Sequence, residues 1–176
     1  TVAYPFCLVF FTMIYEAFLA PQILGLTPLG RPDCRLAKAL CVQGAQGFVD
    51  LGADKATATT ALKEMQTHCQ ATPLAYGVRI AANQDIEPEQ LPAAVNAVIL
   101  DGTDELARWQ PRFVLVQVTS LEEARTAVKH GADGLIVKGS ESGGRIGQQS
   151  SFVLLQKVVA NVDLPVWQPG DDRRRQ

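Results

Sequence analysis

Residues 113–147 read FVLVQVTSLEEARTAVKHGADGLIVKGSESGGRIG, and this stretch decides the fold class. Phe113–Val118 is a short, continuous apolar run of the kind that fills a strand covered on both faces. Ser120 is a helix-starting residue, and an amphipathic pattern follows through Lys129. His130 and Gly131 then read as a helix end, with an imidazole at the negative pole of the dipole and a glycine free to take positive φ. Gly134–Val137 is a second buried apolar run. A strand, a crossing helix and a second strand joined by short connections predict parallel pairing.

The same unit recurs on both sides. Before it, Gln22–Pro28 predicts a strand, and GRPDC begins a helix in which Leu36, Ala37, Leu40 and Cys41 fall at helical spacing up to Gly44. Phe48–Leu51 predicts a second strand, Asp54–His68 a helix and Tyr76–Ala81 a third strand. Glu87–Asn96 reads as a weak helix, and Ala97–Leu100 as a fourth strand ending at Asp101. After it, Ser150–Val162 predicts a helix and Leu164–Gln168 a seventh strand. Repeated βα units give a parallel α/β sheet, closed or doubly wound. No GxGxxG follows the first strand, which counts against a dinucleotide-binding open sheet. The expectation is therefore a (β/α)8 TIM-type barrel, incomplete at the C-terminus, since a full one takes eight units and about 250 residues. It divides into an apolar lead-in at 1–21, a partial barrel at 22–170 and a charged tail at 171–176.

Composition narrows the function. The 16 basic and 18 acidic residues leave no strong field for nucleic acid or anionic membranes. The apolar lead-in has no basic start, and its uncharged stretch before Glu16 is shorter than the ~20 residues of a spanning helix. The chain reads as cytoplasmic. Cys7, Cys34, Cys41 and Cys69 form no CxxC pair, so no metal site is expected and the thiols read as reduced packing groups. His68 and His130 sit near helix ends, which lead away from the carboxyl ends of strands where barrel active sites form. The better-placed polar residues are Asp50, Arg79, Asp101, Gln117 and Lys138.

The loop after the sixth strand, Lys138–Gly147, is the strongest candidate site. Gly139, Gly143, Gly144 and Gly147 permit positive φ and close backbone approach to a planar or anionic ligand. Glu141 and Arg145 can bind polar ligand groups or each other. Composition alone fits equally well an ordinary βα loop with both charges solvated.

The stretch GADGLIVKGSESGGRIG resembles the GADxxxxxGxExGGHxG segment of nitronate monooxygenase (2-nitropropane dioxygenase) flavoproteins. Weaker matches run along residues 22–168, and KGSESGGRIG with SSFVLLQ also resembles flavin barrels embedded in polyketide synthases. The resemblance implies an oxidoreductase with FMN across the barrel mouth, oxidising nitronates or a related small substrate. The alternatives are an enoyl-reductase-like barrel or a noncatalytic accessory domain beside other synthase domains. By position, Lys138 replaces a flavin-contacting Gln, Gly143 matches a flavin-contacting Gly, and Arg79 stands where an Asn contacts the flavin. Gly139 and Gly144 complete the implied cofactor-binding set, and Arg145 and Glu141 are the implied catalytic pair. Arg145 replaces the family's His, and a guanidinium cannot serve as a general base. Pro169-Gly170-Asp171 stands where a phosphate-binding glycine turn belongs.

Overall fold

Four helices of the fold each start on a polar side chain that follows a strand. Asp33 accepts the Arg35 and Leu36 backbone N–H groups at the start of α1 (Cys34–Val42). Asp54 accepts Thr57 N–H at 2.7 Å to begin α2 (Lys55–Ala71). Ser120 caps α3 (Leu121–Lys129) and Ser150 caps α4 (Ser151–Val159). These caps satisfy donors that have no partner within the helix, so each helix begins where the sequence places its cap. Gly44 and Gly131, at φ of +81° and +89°, end α1 and α3.

The computed structural model describes residues 23–82, 84–104 and 106–169. The lead-in at 1–21 with Cys7, the turn at 170–172 and the charged tail lie outside the described residues. The strands are β1 (Leu24–Leu26), β2 (Gln46–Asp50), β3 (Tyr76–Ile80), β4 (Val95–Leu100), β5 (Phe113–Val118), β6 (Gly134–Val137) and β7 (Val166–Trp167). They follow one another in chain order, the order of a barrel-type βα repeat and not of a doubly wound sheet. Parallel α/β architecture is thus observed, with seven strands among the described residues.

The chain forms two compact units. One runs through Val98 and includes Trp109–Phe113; the other holds Ile99–Arg108 and Val114 onward. In the first, β1 pairs with β2 and β2 with β3, all parallel, with Phe48 opposite Gly77 and Asp50 opposite Arg79. Its core gathers Phe48, Val49, Met65, Tyr76 and Val78. A Cβ on Gly47 would lie 2.4 Å from the Ala37 carbonyl oxygen, so glycine there lets α1 settle against β2. In the second unit, β6 pairs with β5 and with β7, again parallel. All six residues of β5 are buried, and Leu115, Leu135, Leu154 and Val158 form the core.

Two expectations change. Residues 87–96 do not form a helix. A single 3-10 turn, Pro88–Gln90, is followed by extended Leu91, and β4 begins at Val95, two residues earlier than expected. Pro92 lacks an N–H and pushes Leu91 out of helical geometry. A second short 3-10 turn, Leu106–Trp109, lies between β4 and β5 where no element was expected.

Candidate functional site

The candidate polar residues stand at or beyond the carboxyl ends of strands, except Arg79 and Gln117, which are each one residue before the end of theirs. In the first unit the centre is Asp50, the last residue of β2 and fully buried. Its Oδ1 accepts the Gly30 N–H at 3.1 Å and the Gly52 N–H at 2.8 Å. Its Oδ2 accepts from the Arg79 guanidinium at 2.6 Å, and its backbone N–H donates to the buried Thr27 hydroxyl. One carboxylate therefore ties the loops after β1 and β2 to the end of β3. It also neutralises Arg79, whose side chain is only 12% exposed.

In the second unit the Lys138–Gly147 loop joins β6 to α4, as the sequence predicts. Lys138 is buried and its ammonium donates to the Gly143 carbonyl, folding the loop back on itself. Gly139 donates its N–H to the buried Ser151 hydroxyl at 2.8 Å. A Cβ on Gly139 would come within 2.0 Å of Ser151 N, so no other residue fits without moving α4. Gly144 has φ of +76°, whereas the space beside the Gly143 Cα is open. Glu141 accepts the Ser151 backbone N–H at 2.8 Å and acts as an outer cap on α4. Backbone hydrogen bonds at its own position and from Ser151 hold its carboxyl below the usual range. Gln117, one residue before the end of β5, is 4% exposed, and its Oε1 is buried with no hydrogen-bond partner.

Arg145 does not pair with Glu141. Its guanidinium donates to the Asp101 carbonyl at 3.0 Å and to the Glu123 carboxylate, in a short charged contact. Glu123 also accepts the Thr119 N–H at 2.8 Å and the Thr119 hydroxyl. The loops after β4, β5 and β6 meet at this one guanidinium.

Sequence reasoning placed Lys138, Gly139, Gly143 and Gly144 in one loop, and Arg79 falls in the other unit. It missed Glu123, Thr119 and Ser151. SLEE at 120–123 is a capping-box signature, in which Glu123 reads as nothing more than a cap. His68 lies 3.7 Å from Glu64, and the His130 Nδ1 is 3.0 Å from the Thr103 carbonyl. Both occupy the ends of helices leading into β3 and β6, as expected.

Residues 109–171 match the nitronate monooxygenase family model. Over this stretch the chain is similar to that family. No curated protein matches the chain. Among solved structures it is similar to FabK from Thermotoga maritima, with 24% identity and a TM-score of 0.71 over 89% of this chain and 53% of that one. It is similar to nitroalkane oxidase from Streptomyces ansochromogenes, with 23% identity and a TM-score of 0.67 over 88% of this chain and 60% of that one. The N-acetylmannosamine-6-phosphate 2-epimerase from Clostridium perfringens is more distant, at 19% identity and a TM-score of 0.58 over 89% of this chain and 79% of that one. These likenesses are of fold. The chain spans 53% and 60% of the first two relatives.

Proposed function

We propose that this chain is the βα-repeat portion of a flavin-dependent oxidoreductase of nitronate monooxygenase type, acting on nitronates or a related small substrate. The observation that carries the reading is the loop after β6, which lies within the stretch matched by the family and is held by Lys138 and Ser151. Gln117 adds independent support. A buried amide oxygen without a partner costs free energy, and the N–H of a planar heterocycle would satisfy it.

The residues present fit FMN. The open space beside Gly143 lets a planar ring approach the backbone there, Gly139 seats the loop against α4, and Lys138 holds the loop's curvature through the Gly143 carbonyl. A bound flavin supplies the electron acceptor. A guanidinium such as that of Arg145 orients an anionic substrate and is no general base for a neutral one. The expected substrate is therefore already ionised, as a nitronate is.

Flavin fluorescence titration of the chain tests this. Saturable FMN quenching is expected, weakened about tenfold or more by Gly143→Val and by Lys138→Met. A folded chain that quenches no FMN at any concentration would favour the accessory-domain reading.

A further inference from the structure

We infer that Glu123 is a positioning residue for Arg145, and that an anionic substrate engages this guanidinium by competing with the Glu123 carboxylate. The inference rests on the reading that Arg145 meets an anion, and it adds what controls that meeting. Glu123 occupies the first turn of α3, and Arg145 lies 22 residues further along in a different loop. The pair is anchored on both sides. Thr119 grips Glu123 through its N–H and its hydroxyl, and the Asp101 carbonyl holds a second guanidinium nitrogen.

This geometry has a consequence for specificity. With Glu123 engaged, the guanidinium is aimed but electrically compensated, so the loop presents hydrogen-bond donors with little net charge. Neutral molecules meet no unpaired cation, and an anion must offer at least what the carboxylate offers. The side chains are 44% and 32% exposed, so solvent weakens the pair and exchange for an incoming anion is affordable. A buried pair would resist it.

Nitrate, a planar anion, serves as the probe for the ¹⁵N-labelled chain by NMR, with chloride exchanged for nitrate at constant ionic strength. The Arg145 Nε–Hε signal is assigned by its loss in Arg145→Gln. In the wild-type chain, the Arg145 signal and the Thr119 backbone N–H should shift along one titration curve, because Glu123 loses one partner as the anion arrives. In Glu123→Gln, half-saturation should fall about three- to fivefold. Shifts at Arg145 with Thr119 unmoved would overturn the proposal, as would an unchanged or weaker nitrate response in Glu123→Gln. The wild-type comparison decides even if that variant fails to fold. No flavin and no turnover enter the measurement, so a latch that fails while FMN binds refutes this inference alone.

Discussion

Asp50 joins the loops after β1 and β2 to the end of β3. It accepts from Gly30, Gly52 and Arg79 while fully buried. Asp50→Ala removes the carboxylate shared by the nearly buried Arg79 guanidinium and the Gly30 and Gly52 N–H groups, which should cost about 3–5 kcal/mol in denaturant unfolding. The double variant Asp50→Ala/Arg79→Leu should recover part of that loss, because it also removes the nearly buried charge that the carboxylate faced. No recovery would mean that the backbone contacts to Gly30 and Gly52 dominate. Cys34 gives a second residue-scale expectation. Burial first, and the nearby Glu64 carboxylate second, push its thiol up to about 12 from the ordinary 9.0. The folded state thus prefers the neutral thiol. Its contribution to stability is complete below pH 9 and is lost as pH rises from there towards 12. Alkaline unfolding should begin later in Cys34→Ala, and iodoacetamide at pH 8 should leave native Cys34 unmodified, as read by mass spectrometry.

At the scale of elements, the β6–loop–α4 unit shows how far local sequence reaches. The strand, the glycine loop and the Ser150 cap are all legible, because each depends on φ/ψ preference or on a neighbour within three residues. The use of Ser151 is not legible, since its hydroxyl accepts from Gly139, 12 residues back. Ser151→Ala orphans that buried N–H and should destabilise the chain by about 1–3 kcal/mol, with faster hydrogen exchange across 139–147. Exchange unchanged in the loop would show that Lys138 holds it alone. The Glu141 carboxyl is held below its usual range, so its contribution is present at neutral pH and is lost as pH falls through the depressed value. Acid melts of Glu141→Gln should accordingly be less steep than wild type. Residues 87–96 mark the opposite limit. Their composition suits a helix, but Pro92 and the demand of β4 for the Val95 and Asn96 backbone prevail. Asn96 then pairs its amide with Gln46 at 3.1 Å.

For the whole molecule, the repeated parallel units and the family match point the same way, and the reach of the chain sets the affinity expected for a cofactor. It spans 53% and 60% of the two relatives, and the sequence after β7 carries Asp171 and Asp172, whose charge disfavours a phosphate under the proposed flavin reading. FMN bound by this chain should therefore separate from it during gel filtration. Co-elution at one flavin per chain would contradict that expectation.

What the sequence determined by itself was the alternation of strand and helix, the Ser120 cap, and the glycine-rich loop after the sixth strand. Each of these is written in residues close together along the chain. Only the tertiary structure decided that Arg145 answers to Glu123 rather than Glu141, and that Asp50 joins Gly30 to Arg79. Those partners are 22, 20 and 29 residues apart. They meet because parallel pairing brings the carboxyl ends of neighbouring strands together. That register is fixed by core burial along the strands, and no local pattern of charges encodes it.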